Sequence, residues 1–557
     1  MSVTTIYRDA TVFTGDAAVS PRESFAVRDG RVLAAGELAA VRRAAGADGA
    51  DRTDGTSEVT EVSLGGAVVT PGIVEGHAHM LMLGESLAKV QLRDAASLTE
   101  VQERLAAARQ AAPDAPRILG TSWMFDIFPN GERPTAAVID AVISDVPVIL
   151  DANDLHSVWV NTAALDAMGI TRDTPNPVGG EIVRDAEGNA TGFLLETAAM
   201  HFAWGYLDSV RSEADQDRYL SAAFDAYLET GVTAATEMSF GEAELATYRR
   251  RLARDGRLPF PITAHWLLTA SGDVAADVAQ IARITQARDE LAAEFGTQWL
   301  QIVGVKFILD GVIDACTATM RTPYANGALP GPIWEREFAL PVAVAADAAG
   351  LQLALHAIGD EASTIALDMV QECVRVNGAR ADRRPRVEHL ESVADDTIAR
   401  MAALGVTASM QPVHCDPAVL DNWQAVLGDE RAHTGFPWHK FRAAGVLLAL
   451  GTDAPTAPHF APDNLFIALT AASALDRSRA PYQPERVFTP AQALEALTLG
   501  AATATRREHE FGRIATGARA NVAVWAVDPL AGAPEALLGS GAALTLVDGD
   551  VAHRREA

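Results

Sequence analysis

The sequence predicts an α/β protein built around a (β/α)8 TIM-like barrel. Three observations lead there. Between about residues 216 and 485, short apolar runs alternate with segments of helical pattern, as in a parallel sheet whose strands are joined by helices. Counted from the run that ends at His77, about eight such runs occur, which fits a closed barrel better than an open sheet. Both chain ends read instead as short strands separated by turn residues, so the two ends are expected to join into one small sheet.

Taken in order, residues 1–70 read as strands. MSVTTIYRDATVFTG lacks a basic stretch followed by an apolar run, so it is expected to be a strand and not a signal peptide. FAVRDGRVLAAG sets Asp29-Gly30 between two alternating runs, a hairpin signal. AAGADGADRTDGT, residues 44–56, reads as a loop, and VSLGGAVVTPGIVEGHAHM as a buried strand running into a loop. From about 90 to 215 the pattern is mixed. SLTEVQERLAAARQAA is a helix opened by Ser97 with Glu100 three residues on. RILGTSWMFD, the turn FPNGERP, VPVILDAND, HSVWVNTAALDAMGI and the break TPNPVGG follow. This block does not alternate cleanly and reads as an α/β insertion. The barrel strands are then VTAATEM, FPITAHWL, LQIVGVKFILDG, LQLALHAIG, RPRVEHLE, VTASMQP and VLLALGTDAP. GRIATGARANVAVWAVDPL and LTLVDGDVAHR close the chain as strands. The expected partition is 1–70 with 486–557, 71–89 with 216–485, and the insertion 90–215.

Composition narrows the function. Of 557 residues 49% are hydrophobic, enough for a large core. The formal net charge of −28 argues against nucleic acid and against anionic membranes as partners, since both need basic surface. Cys316, Cys373 and Cys415 lie too far apart for a disulfide framework and suit a reducing compartment. No apolar run approaches the roughly 20 residues of a membrane span. The expectation is a soluble, cytoplasmic protein acting on a small-molecule substrate. Barrels of this size often pair, which admits a homodimer.

Five sites stand at the C-terminal ends of expected barrel strands, the face where such barrels carry their chemistry. They are His77 with His79 in GIVEGHAHM, Lys306 in VGVKFILDG, His356 in LALHAIGD, His389 in RVEHLE and Asp453 in LALGTDAP. Residues i and i+2 of an extended segment point to one side, so His77 and His79 can bind one metal ion. Imidazole and carboxylate ligands suit Zn²⁺. Single histidines at strand ends are common core residues; the ordered set is not. Trp123, with Phe125 and Phe128, is expected either to line an apolar substrate pocket or to fill the insertion core. His414 in MQPVHCDP is a candidate substrate contact.

These motifs, together with VPVILDANDLHSVWVNTAAL and PVGGEIVRDAEGNATGFLLE, resemble the amidohydrolase superfamily, amidohydrolase family 3, in its N-substituted formamide deformylase-like branch. The resemblance implies a metal-dependent barrel hydrolase, a small β-sandwich domain formed by both chain ends, and an insertion bordering the active site. It implies two Zn²⁺ ions: His77, His79 and Asp453 on the first, His356 and His389 on the second. A carbamate on Lys306 would bridge them; the alternative is a plain salt bridge from Lys306 to Asp310. A metal-activated hydroxide attacks the carbonyl of an amide or N-substituted formamide-like substrate, with Asp453 shuttling the proton to the leaving amine. His156 is implied as a donor to substrate, the alternative being a backbone-bonded histidine. Two segments depart from the branch: DGVIDACTATM after Lys306, and Asn521 where an aspartate is usual, a change expected to touch only the sandwich. The same metal barrel could instead hydrolyse esters, open cyclic amides, decarboxylate or cleave by retro-aldol reaction. A catalytically silent metal-binding protein is a third reading, opposed by the complete ligand set.

Overall fold

The computed structural model describes residues 3–46, 58–128, 132–152, 157–177 and 180–556. Residues 47–56 of the expected loop, the tip of the turn at 129–131, and His156 lie outside the described residues. The chain separates into two compact units, Met1–His79 with Phe224–Ala557, and Met80–Ala223.

The first unit contains the barrel. Its eight strands are Ile73–Ala78, Val232–Phe240, Ile262–Leu267, Leu300–Ile308, Gln352–Ala357, Arg386–His389, Thr407–Met410 and Leu448–Leu450. They lie side by side in chain order, every neighbouring pair parallel. The first strand is buried along its whole length, as are the sixth and seventh, so the polar residues they carry, Glu75, Arg386 and Glu388 among them, must find partners inside the protein. The eighth strand returns to the first. Asp453 N donates to His77 O at 2.9 Å, and Thr452 N donates to Glu75 Oε1 at 2.7 Å. Gly76 permits this approach: a Cβ there would stand 2.5 Å from Leu450 O.

The same unit contains a sandwich. One sheet orders Arg31–Gly36, Ser24–Arg28, Val3–Arg8 and Glu58–Ser63; the other joins Thr11–Val12 and Val68–Pro71 to Val522–Trp525, Ala542–Val547 and Asp550–Arg554. Tyr7, Phe25, Val27 and Val32 of the first sheet share a core with Val69, Val522, Val524, Leu544 and Leu546 of the second. The Asp29-Gly30 hairpin forms, with φ of 51° and 76°, the left-handed pair that matches strand twist. One element differs from expectation. Ala44 and Ala45 end a helix, Leu38–Ala45, capped by left-handed Gly46, so the loop begins later than its Ala- and Gly-rich composition suggests.

The second unit carries a mixed six-stranded sheet, in the order Gly180–Arg184, Ala190–Glu196, Ser157–Val160, Val148–Ala152, Ile118–Trp123 and Val90–Gln91. Its helix Leu98–Ala111 is opened by Ser97 Oγ, which accepts from Glu100 N at 3.2 Å. Glu100 Oε2 reaches back to Ala96 N at 2.9 Å, one residue earlier than in the usual reciprocal cap. Among the described residues no helix is long and apolar enough to cross a membrane.

Asn521 corrects an expectation. It does not serve the sandwich alone: its Nδ2 donates to Thr233 O on the second barrel strand at 3.1 Å, while its Oδ1 accepts from Asp548 N at 3.0 Å. An amide both donates and accepts, which a carboxylate cannot do. Asn521→Ala leaves both backbone groups buried without partners. It is expected to destabilise the protein by about 1–3 kcal/mol, read as a lower urea midpoint at unchanged slope.

Candidate metal centre

All the candidate side chains of the first unit lie at or just beyond the C-terminal ends of barrel strands. His77 is near the end of the first strand and His79 follows it. Lys306 is on the fourth strand, His356 on the fifth and His389 at the end of the sixth. His414 lies in the short helical turn Pro412–Cys415 after the seventh strand, and Asp453 lies three residues beyond the eighth.

Side chains from six strand ends converge. Asp453 Oδ1 stands 2.9 Å from His79 Nε2 and 3.4 Å from His77 Nε2. Its Oδ2 stands 3.5 Å from His414 Nε2 and 3.9 Å from His389 Nδ1. Lys306 Nζ is 3.3 Å from His77 Nε2. The rings of His77 and His389 are 4.9 Å apart, and those of His356 and His389 4.3 Å. Two groups of donor atoms lie within 4.8 Å of one another: His77, His79 and Asp453, then His389, His414 and Asp453. His356 joins neither. Its Nε2 faces Gly311 O at 3.5 Å and Asp310 Oδ1 at 3.6 Å. Among the described residues no donor meets Asp453 Oδ1 in good hydrogen-bond geometry, close as His79 Nε2 is, and His79 Nδ1 is buried without a hydrogen bond. Unpaired buried polar atoms are costly; the Nδ1 of His79 lies on the Glu237 side of its ring, 3.9 Å from Glu237 Oε1, while its Nε2 faces Asp453.

Partners on the far ring atoms hold several of these imidazoles. His77 Nδ1 meets Glu388 Oε2 at 2.9 Å, His389 Nδ1 meets Gln411 Oε1 at 3.0 Å, and His414 Nδ1 meets Glu391 Oε1 at 3.1 Å. Such partners set which nitrogen faces a metal. Burial, then the Lys306 ammonium, draws His77 down to about 4 and His356 to about 3. Burial, then His356, holds His389 well below the ordinary imidazole range. Burial alone would raise Asp453, but His77 and His79 keep it well below the usual carboxylate range. His77, His356 and His389 are therefore neutral imidazoles near an ionised carboxylate, the protonation states that metal binding needs, whereas, against the effect of its burial, Glu391 and Asp453 draw His414 upward. His389 and Asp453 both have left-handed backbones, with φ of 74° and 59°. Strain of this kind persists where surroundings over-determine it, and it clusters at functional sites.

Lys306 is almost fully buried, and among the described residues no carboxylate stands within 4.0 Å of its ammonium. Burial lowers it to about 8. The Asp310 alternative is not what forms. Asp310 accepts from the backbone N–H groups of Thr319, Ile358 and Gly359 at 3.0, 3.0 and 2.8 Å. Trp123 also departs from the expected substrate contact. It lies fully buried in the second unit's core, its ring against Phe125, Phe128, Trp159 and Phe193, and its indole N–H donates to Leu150 O at 3.0 Å. Of the pair of roles its sequence admits, packing is the one the structure supports. Glu388, Glu391 and Gln411 were not singled out from the sequence. The signal was nevertheless present: the two carboxylates flank His389 in RVEHLE, and Gln411 stands three residues before His414.

The sequence profile of the Amidohydrolase family matches residues 60–553. The chain belongs to the Amidohydrolase family. Among its relatives, an N-substituted formamide deformylase of Arthrobacter pascens is 28% identical over 560 residues, covering 98% of each chain. The protein LONG AFTER FAR-RED 3 of Arabidopsis thaliana is 30% identical over 545 residues, 93% of this chain and 86% of that one. A crystal structure of an uncharacterized metal-dependent hydrolase from Pyrococcus furiosus is similar with a TM-score of 0.74 and 26% identity, over 95% of this chain and 100% of that chain. This amidohydrolase is thus an enzyme that hydrolyses carbon–nitrogen bonds with a metal cofactor.

Gln411→Ala removes the acceptor that orients His389. Metal affinity of the amidohydrolase is expected to fall about 10–100-fold, measured by competition with a chromophoric chelator, with the far-ultraviolet circular dichroism unchanged.

Proposed function

We propose that this amidohydrolase cleaves the C–N bond of a linear amide or N-substituted formamide-like substrate at a two-zinc centre. The observation that carries the reading is Asp453, an ionised, buried carboxylate shared by two groups of histidine nitrogens, His77 with His79 and His389 with His414. His77, His79 and Asp453 hold the first zinc. His389 and His356, their rings 4.3 Å apart, would hold the second, His356 by the ring nitrogen that does not face Gly311 and Asp310, with His414 facing the same place. Nitrogen and carboxylate donors are those zinc prefers. Lys306, buried and lowered to about 8, would as the neutral amine add carbon dioxide through Nζ, release a proton, and so offer a carbamate oxygen to each metal. Carbamate formation would replace a buried cation, which Glu388 and Asp453 offset only in part, by an anion suited to metal ligation.

Zinc bound there acidifies a water toward neutrality and polarises the substrate carbonyl. The chain's own groups then handle position and protons. Asp453 takes the water's proton on a carboxylate oxygen and passes it to the departing nitrogen, which leaves as an amine. His414, its Nδ1 held by Glu391, presents Nε2 to the substrate oxygen, where a fixed donor is most effective as charge develops. His156 is assigned to the same task of contacting substrate, as the family pattern implies.

Purified protein is expected to carry two zinc equivalents by elemental analysis and to lose activity to a chelator. In a screen of formamides, acylated amines and esters, amine release from formamides or amides is expected to dominate; release of carbon dioxide or exclusive ester cleavage overturns the reading. Asp453→Asn is expected to lower kcat about 10²–10⁴-fold on the best substrate. The carbamate is tested separately with ¹³C-labelled bicarbonate. A carbamate resonance is expected in the wild-type protein and is absent in Lys306→Ala, which also loses zinc.

A further inference from the structure

The interior of a (β/α)8 barrel is ordinarily filled by branched apolar side chains. Here the sixth strand places an ion pair inside. Arg386 and Glu388 are two residues apart, so they face the same way, and neither exposes any surface. Arg386 Nε donates to Glu388 Oε1 at 2.6 Å and its Nη2 to Glu388 Oε2 at 3.1 Å. The same Nη2 reaches Ser409 Oγ on the seventh strand at 2.7 Å and Gly76 O on the first strand at 2.7 Å. Glu388 Oε2 in turn accepts from His77 Nδ1 at 2.9 Å. His77 is therefore bracketed twice, through its ring by Glu388 and through the adjoining Gly76 carbonyl by Arg386.

Stability does not account for the pair. Two buried charges cost desolvation that their attraction barely offsets, and well-packed apolar replacements commonly leave a protein as stable or more so. What an apolar pair cannot do is accept the His77 N–H. A lone Glu388 could accept it, but as a buried anion without a counter-charge it would protonate or swing toward water. Arg386 supplies the counter-charge, and its bonds to three strands leave the carboxylate one place to sit.

We propose that Glu388, gripped by Arg386, is the positioning residue for His77: the pair fixes the imidazole so that Nε2 points at the metal, and is not retained to hold the barrel together. The inference rests on the reading of His77 as a zinc ligand given above.

The full-length protein and two double variants, R386M/E388M and R386M/E388Q, test it. Three readouts are needed: the unfolding midpoint of the zinc-free protein, zinc affinity by chelator competition, and kcat/KM. R386M/E388M is expected to unfold at or above the wild-type midpoint yet to bind its tightest zinc about 10–100-fold more weakly. R386M/E388Q keeps an amide oxygen that accepts from His77 Nδ1 and is expected to recover most of that affinity. Wild-type affinity in R386M/E388M, or no recovery in a folded R386M/E388Q, overturns the proposal and leaves the zinc reading intact. A wild-type protein that binds no zinc overturns both. Should R386M/E388M not fold, ¹⁵N-histidine spectra of the wild-type protein decide. A slowly exchanging imidazole N–H that vanishes in His77→Asn and in Glu388→Ala supports the proposal, and its absence from the wild type overturns it.

Discussion

Asp453 belongs to both groups of donor atoms, and its place depends on the closure of the barrel. Its own N–H bonds His77 O, so the residue that meets the imidazoles through its carboxylate also joins the eighth strand to the first through its backbone. That closure needs Gly76, because the strands approach too near for a side chain. It also needs Glu75, whose carboxylate accepts from the N–H and hydroxyl of Thr452 at 2.7 and 3.0 Å. The left-handed φ of Asp453 is maintained within this web of bonds. If the barrel opened at this seam, the carboxylate would leave both groups at once.

Around that carboxylate the protein keeps His77, His356 and His389 neutral by burying them, and holds His77, His389 and His414 by a bond to Nδ1. The two devices work together. Burial makes protonation expensive, so the lone pair stays free for a metal; an outer carboxylate or amide chooses which nitrogen carries it. Lys306 belongs to the same low-dielectric setting: burial lowers it to about 8 against the pull of the Glu388 and Asp453 charges. Asp310, occupied with three backbone N–H groups, contributes to the loop architecture beside the site and does not supply that balance.

Much of this was legible in one dimension. All eight barrel strands fall in segments that the sequence pattern marks, most of them apolar because strands buried on both faces carry few polar residues; the sixth, with Arg386 and Glu388, is the exception. The HxH pair was readable because a period of two puts alternate residues on one side. Other features were hidden for physical reasons. Asn521 looks like a sandwich residue, since it sits among sandwich strands, yet its amide donates to the second barrel strand. Trp123 stands among aromatic residues, and an aromatic cluster has the same composition whether it lines a pocket or fills a core; here it packs. Glu388 and Glu391 are neighbours of a marked histidine, but strand alternation sends residue 388 into the barrel interior, and residue 391 bonds an imidazole beyond the next strand.

By itself the sequence determined the strand and helix rhythm, the family to which the chain belongs, and the kinds of side chain available at the strand ends. These follow from local periodicity and from residue chemistry, which act over a few positions. Only the tertiary structure decided that His414 joins His389 and Asp453 while His356 turns toward Gly311 and Asp310, and that Lys306 lies buried with its ammonium 3.3 Å from His77 Nε2. Those outcomes depend on distances between atoms separated by tens to hundreds of residues. Such distances are set by how the barrel closes and by which hydrogen bonds its buried groups find, and no local pattern encodes them.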